Sequence, residues 1–318
     1  MSVPDLKDFP QGPDGKTGWP WDKKTTLFPD KMPGGTPWPR LTVVTPSFNQ
    51  GSFLEETIRS VLLQGYPDLE YIIIDGESSD NSIEIIKKYE PWISHWRSKK
   101  DKGQADAINK GFSIANGSIF VWLNSDDLFL ENACYLAVSY LAENSSAGMV
   151  FGDRIIIDTM SCRSGERCCY KYVPWQFRYC SGINQETAFF RKSIFDDCGK
   201  LDTALDFAMD LDLWFRIDKF SEIHYLPVFL GAYRSHKDSK SVKIKSSTNT
   251  MNPAELKMAE ETAALRKKYF GRASTALEMF LLPRIHAILK RLEKLTPGYR
   301  RKKTFIKNMI HLLNKQLP

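Results

Sequence analysis

Leu41-Thr42-Val43-Val44-Thr45-Pro46-Ser47-Phe48-Asn49-Gln50-Gly51 is the stretch that decides the fold. Leu41 to Thr45 are apolar or β-branched and read as a buried strand, and Pro46 to Gly51 interrupt it with a polar loop. Leu54, Ile58, Val61 and Leu62 then recur at helical spacing, with Ser52 and Glu55 fitting a capping box at the start of that helix. Strand, polar loop and amphipathic helix in this order form the opening unit of a parallel sheet with crossover helices. The pattern repeats downstream. Tyr71-Ile72-Ile73-Ile74 is a second buried strand, the turn from Asp75 to Asp80 leads to a helix carrying Ile83, Ile86 and Tyr89, and Ala105, Ile108 and Phe112 mark a third helix before the strand Ile119-Phe120-Val121-Trp122-Leu123. In open α/β sheets ligands bind beyond the carboxyl ends of the strands. Three loops should therefore converge there: Pro46 to Gly51, Asp75 to Asp80, and Asn124 to Asp127.

Outward from this core the composition changes at both ends. Residues 1–39 are rich in Pro, Gly and Trp, as in Trp19-Pro20-Trp21 and Pro37-Trp38-Pro39, and read as an irregular arm lying against the domain. The α/β domain spans 40–250, with a ligand half at 40–130 and a second half at 131–250. After Asn252-Pro253 the chain turns helical, so 251–318 reads as a separate tail. The formal charge is +6, but from Ala254 onward 15 Lys and Arg face 5 acids, which leaves the rest of the chain at −4. The basic character belongs to the tail, and the main domain lacks the basic residues interleaved with aromatics that a nucleic-acid surface requires. Leu281, Ile285, Ile288, Leu289, Leu292 and Leu295 form an apolar stripe flanked by Arg284, Lys290, Arg291 and Lys294, with Arg300-Arg301-Lys302-Lys303 beyond. Such a helix can lie on an anionic membrane surface, or pack on the domain or on a second subunit. The charged, Pro-containing start and the lack of a long apolar run argue against an export signal or a spanning helix. A cytoplasmic protein is expected, peripheral on the cytoplasmic face of the membrane where the tail takes the membrane-surface role. The six cysteines form no paired ligand arrangement and read as reduced thiols.

The polar loops carry the candidate chemistry. Asp75 directly follows a buried strand, Asn124-Ser125-Asp126-Asp127 supplies acids at the end of another, and Asp210 stands at the start of a helix containing Leu211, Trp214 and Ile217. Taken singly, Asp75 and Asp80 could make a turn, Asp126 and Asp127 could cap a helix beginning near Leu128, and Asp210 could be a first-turn acid. Six segments in fixed order resemble the family 2 glycosyltransferases of the GT-A fold: 45–51, 74–80, 101–104, 123–127, 208–214 and 233–236. The resemblance runs from about Leu41 to Ser241. It implies a Rossmann-like, mostly parallel sheet flanked by helices, and transfer of a hexose-type sugar from a nucleotide-diphosphate donor to a hydroxyl of a glycan or lipid-linked glycan, as in surface-polysaccharide synthesis.

Carried over residue by residue, the resemblance implies a donor site at Thr45, Pro46, Ser47, Asn49, Asp75, Lys102, Gly103, Gln104, Asn124, Ser125 and Arg234. The Asp75 carboxylate would accept from the base, and Arg234 would offer its planar fork to phosphate. A hard divalent cation, Mn2+ or Mg2+, would neutralise the diphosphate, bound by Asp126 with Asp127 in support and His236 in a loop over the donor. The first place of the family's Asp-x-Asp element holds Asn124, which adds no charge. Asp210 matches the base that takes the acceptor proton, in a pair whose first member is Met209. Gln185, Glu186 and Met209 fall on the acceptor side. One base without a nucleophile implies inversion at the anomeric carbon. A catalytically inactive membrane-associated scaffold would fit Asn124 and Met209. A nucleotidyltransferase would need a Gly-rich, basic loop after the first strand, which 45–51 lacks.

Overall fold

Strands buried on both sides need helices on both faces of their sheet. The computed structural model describes residues 4–169 (24, 26–28, 30, 33 and 34 excepted), 182–240 and 252–271. Its sheet is built around β1 (Leu41–Ser47), which is buried along its whole length. There follow α1 (Gly51–Leu62), β2 (Leu69–Asp75), α2 (Ser82–Tyr89), β3 (His95–Ser98), α3 (Gln104–Ile114) and β4 (Ile119–Trp122). The second half holds β5 (Leu128–Phe129), α4 (Ala133–Glu143), β6 (Ala147–Ile157), β7 (Arg163–Arg167), β8 (Phe189–Arg191), α5 (Lys192–Cys198), α6 (Met209–Phe220), β9 (Glu222–Arg234) and α7 (Pro253–Phe270). Neighbouring residues on the strands serve opposite layers, as the period of two requires. Val43, Tyr71 and Ile73 join α1, α2 and α4 in one core, whereas Val44, Ile72, Ile74 and Trp122 join α3 and α6 in the other.

The strand order is β3-β2-β1-β4-β8-β6-β9-β5, with β7 added to β6. β3, β2, β1 and β4 are parallel, so the expected βα units and the mostly parallel sheet describe this half. β8, preceded by a short 3-10 turn at Gln185–Thr187, then runs antiparallel to both β4 and β6. β9 pairs in parallel with β6 and antiparallel with β5. No helix starts at Leu128: Leu128 and Phe129 form β5, and α4 begins at Ala133.

The start of α1 differs from the expected capping box. Ser52 makes no cap, and the cap comes from Asp80 in the next loop, whose Oδ2 accepts from the Gly51 N–H at 2.8 Å while Oδ1 accepts from Ser82 N–H at 3.0 Å. One acid thus caps α1 and starts α2. Burial pushes the Asp80 carboxyl up, but the hydrogen bonds from Ser82 and Gly51 outweigh it and hold the carboxyl below its ordinary value. Glu55 turns instead to Lys88 Nζ and the Tyr89 hydroxyl, at 2.6 and 2.7 Å.

The arm adheres to the domain through a cation. Arg59 of α1 is 2% exposed and donates to the carbonyls of Pro10, Pro20 and Trp21 and to the Tyr89 hydroxyl, with Phe9 and Trp21 rings against its guanidinium. Trp19 Nε1 donates to the Phe129 carbonyl at 2.8 Å. At the other end, α7 has a true capping box between Asn252 and Glu255 and packs on α6. The apolar stripe from Leu281, the basic cluster at 300–303 and Cys180 lie outside the described residues. Among the described residues no helix is long and apolar enough to cross a membrane.

Candidate active site

The loops after β1, β2 and β4 do converge, and with the segment after β9 they enclose a cleft of about 1220 Å³. Pro46, Ser47, Phe48 and Asn49 form one wall, Gly76, Asp101, Gly103 and Gln104 another, and Asn124 to Asp127 the floor. Tyr233 and His236 to Lys240 close the far side. Two loops brace each other: Asn49 N–H donates to Ser78 Oγ and Asn49 Oδ1 accepts from Ser79 N–H, both at 2.8 Å. Asn49 and Glu77 hold positive φ angles of 52° and 69°, backbone strain of the kind that binding loops keep. Gly103, at φ +108°, lets the chain turn into α3 at the rim.

At the floor, Asp126 Oδ2 lies 2.9 Å from His236 Nε2, and the imidazole rests on Phe53 with ring centroids 4.7 Å apart. Asp127 is 1% exposed, its Oδ1 accepts from Arg234 N–H at 2.9 Å, and Oδ2 faces Asn124 Nδ2 at 3.3 Å. Burial, then the charges of Asp126 and Glu186, push the Asp127 carboxyl well above the ordinary range. Asn124 joins a chain of amides: it accepts from Gln104 Nε2 at 2.6 Å and donates to Gln185 Oε1 at 3.1 Å, and Gln185 donates to the Trp122 carbonyl at 2.8 Å. Glu186, 2% exposed, faces Arg154 at 3.4 Å.

Several expected site residues are placed elsewhere. Thr45 is fully buried with its hydroxyl 3.1 Å from the Tyr71 hydroxyl, because its strand position faces the core. Asp75 is also fully buried, and its oxygens accept from Ser78 N–H, Ser78 Oγ and Ser98 Oγ, so its carboxylate serves the turn. Lys102 is exposed and does not line the cleft, whereas its neighbour Asp101 does. Met209 packs in the core, and neither Gln185 nor Glu186 lines the cleft.

Arg234 also stands away from the cleft lining. Its guanidinium is wholly buried under Phe53 and donates to Glu56 at 3.0 Å, to the carbonyls of Asp126 and Asp158 at 2.9 and 3.0 Å, and to Ser161 at 2.9 Å. Four of its five N–H donors are taken up inside the protein, and the side chain does not line the cleft; Arg234 holds the Asp126-Asp127 floor. Its partner Glu56 was invisible in sequence, since it lies two residues from both Leu54 and Ile58, off their apolar stripe. Among the described residues, the lysines that line the cleft are Lys100, Lys237 and Lys240.

Asp210 is the second residue of α6 and is half-buried. It does not line the cleft itself, but it feels the charges of Glu186 and of Lys240, which does. Burial is the main influence on its carboxyl and pushes it above the ordinary value, against the hydrogen bond from Leu211 N–H at 2.7 Å.

Among the described residues no three His, Cys, Asp or Glu side chains form a ready-made metal cage. The donor chemistry nonetheless suits a cation shared with a ligand. A carboxylate and an imidazole stand side by side in the cleft.

Comparison with known proteins settles the family. Residues 42–199 match the family described as glycosyl transferase family 2. They form a family 2 glycosyltransferase domain. Uncharacterized glycosyltransferase of Rickettsia bellii is 25% identical over 238 residues, 70% of this chain and 33% of its own. TuaG of Bacillus subtilis, named for teichuronic acid biosynthesis, is 34% identical over 116 residues, 35% of this chain and 46% of its own. The chain spans about a third of the length of the first curated relatives it matches. Among solved structures, Staphylococcus aureus TarS 1–349 in complex with UDP-GlcNAc superposes with a TM-score of 0.56 at 14% identity, covering 73% of each chain. The mannosyltransferase PcManGT of Pyrobaculum calidifontis, in complex with GDP-Man and Mn2+, gives 0.53 at 19% identity, covering 89% of this chain and 87% of the other. The fold is GT-A, a curled mixed sheet between helical layers.

Proposed function

We propose that the chain transfers a sugar from a nucleotide-diphosphate donor to a hydroxyl of a glycan or lipid-linked glycan at the cytoplasmic face of the cell envelope. The observation that carries this reading is the Asp126–His236 pair, 2.9 Å apart, on the floor of a cleft framed by the β1 and β4 loops of a family 2 domain. TarS and PcManGT, which share the fold, are described with UDP-GlcNAc and with GDP-Man and Mn2+. Asp126 and His236 would hold a divalent cation, which supplies charge neutralisation for the departing diphosphate. An imidazole in the set favours Mn2+ over Mg2+, whose preference is for oxygen.

The remaining work falls to side chains. Ser47, whose buried hydroxyl has no hydrogen-bond partner among the described residues, and Asp101 offer polar atoms to the nucleoside beside Phe48. Lys237 and Lys240 bring positive charge to the diphosphate side. Asp210 takes the proton of the acceptor hydroxyl as its oxygen attacks the anomeric carbon, and a carboxyl raised by burial is a stronger base than a free one. A single displacement inverts the anomeric centre. Asn124 contributes an uncharged amide network where the family places a carboxylate, so one anionic ligand for the cation is missing.

The test is turnover of a panel of nucleotide sugars with lipid-linked glycans, with and without Mn2+, for the parent, Asp126→Ala and Asp210→Asn. Consumption of one donor only with metal, lost in both variants, is expected. Metal-dependent donor binding with no release of nucleotide across all acceptors would favour the scaffold reading instead.

A further inference from the structure

The N-terminus of α6 lacks a cap of its own. Ala208 is its N-cap and offers no side-chain oxygen, and the stretch before it must satisfy its N–H groups elsewhere. They turn to α7, more than fifty residues later. Glu261, 9% exposed, accepts from Asp206 N–H at 3.0 Å through Oε1 and from Phe207 and Ala208 N–H at 2.9 and 3.0 Å through Oε2. A carboxylate facing a helix N-terminus is also favoured by the dipole of that helix. Two residues after Asp210 the same helix grips again: Tyr269 Oη donates to Asp212 Oδ1 at 2.7 Å, and Lys268 Nζ lies 3.3 Å from the same oxygen. Leu265 sits between these points in the core with Phe215, and the Tyr269 ring packs 5.4 Å from the Phe215 ring. Lys257, one turn before Glu261, pairs with Asp206, whose carbonyl accepts from cleft-lining Lys240 at 2.9 Å.

We propose that α7 acts in catalysis as a clamp on α6, with Glu261 as a positioning residue that fixes Asp210 relative to the cleft. The proposal rests on the reading of Asp210 as the base. Three hydrogen bonds before Asp210 and one after it leave its backbone little freedom, and α7 lies outside the span matched to the family. An ångström of misplacement at a reacting group can cost about 100-fold in rate. Glu261→Gln keeps the shape but turns an N–H2 group toward backbone donors. It should lower kcat by roughly tenfold or more while donor KM and nucleotide affinity stay within about twofold.

The experiment compares full-length Glu261→Gln, Glu261→Asp, Tyr269→Phe and the exposed control Glu260→Gln, with Asp210→Asn alongside. Each is measured for kcat, donor KM, and the affinity and stoichiometry of UDP or GDP binding by calorimetry. A fall in kcat at full binding stoichiometry, smaller for Tyr269→Phe, partly rescued by Glu261→Asp and absent in Glu260→Gln, supports the clamp. If kcat of Glu261→Gln stays within twofold of the parent while Asp210→Asn is inactive, the clamp is wrong and the base stands. If activity and binding stoichiometry fall together in both Glu261→Gln and Tyr269→Phe, α7 is only a folding support and the proposal is overturned. If Asp210→Asn retains activity, the base assignment fails first and the proposal with it.

Discussion

The two halves of the sheet hold their polar groups in different ways. In the parallel half, a loop residue is braced by the next loop: Asp80 caps the start of α1, and Asn49 laces 46–51 to Ser78 and Ser79. In the mixed half, two groups beside the site are held by partners far away in sequence. Arg234 reaches Glu56 across 178 residues, and Ala208 reaches Glu261 across 53. The first kind of site is assembled once two neighbouring βα units pair; the second exists only when the whole chain has folded.

That contrast can be broken first at the chemistry. Asp210→Asn should reduce kcat by about 10³-fold, within the range for a lost general base, with donor affinity unchanged in calorimetry. Equal loss of donor affinity would move Asp210 into the donor site. Next comes the long-range pair. Arg234→Met leaves Glu56 buried without its cation and should cost about 3–5 kcal/mol of unfolding free energy, read from denaturant midpoints. A loss under about 1 kcal/mol would show that the floor of the cleft does not depend on it. On the parallel side, Asp80→Ala removes the cap of α1 and the start of α2 together and should cost about 2 kcal/mol, whereas Ser52→Ala should change stability by less than about 0.5 kcal/mol.

The smallest effect concerns pH. Burial raises the Asp210 carboxyl, and the base works only when ionised, so kcat should fall as pH drops through a value above the ordinary carboxylate figure of about 3.9. The sign for stability is opposite. The folded state holds this proton more tightly than the unfolded chain does, so the contribution of Asp210 to stability is fullest below the unfolded value and is lost as pH rises through the folded one. A kcat profile for the parent that stays flat down to pH 4 would contradict the burial of this base.

Legibility in the sequence follows the same division. The strands at 41–47, 69–75 and 119–122 declared themselves through runs of Val and Ile, and the three loops beyond them meet as expected. The start of α6 at Met209 was equally plain. The direction of side chains was not legible. Thr45 and Asp75 lie on or beside strands, where one residue of phase separates the cleft from the core, and both face inward. Arg234 has the chemistry for phosphate, but nothing near it in sequence announces Glu56, Asp158 and Ser161 as competitors for its five donors. The turn to antiparallel pairing at β8 was hidden too, since three residues of strand carry no period.

Arg59 carries a lesson about where this molecule can be cut. Its charge is permanent, and three of its partners are carbonyls of the Pro- and Trp-rich arm that lies before the family match begins at residue 42. A fragment trimmed to the edges of homology would leave a guanidinium in a half-open hole beside Tyr89, with bare apolar surface where Phe9 and Trp21 had been. The span matched to the family and the packed core therefore have different borders, and a fragment meant to keep that core should begin ahead of Phe9.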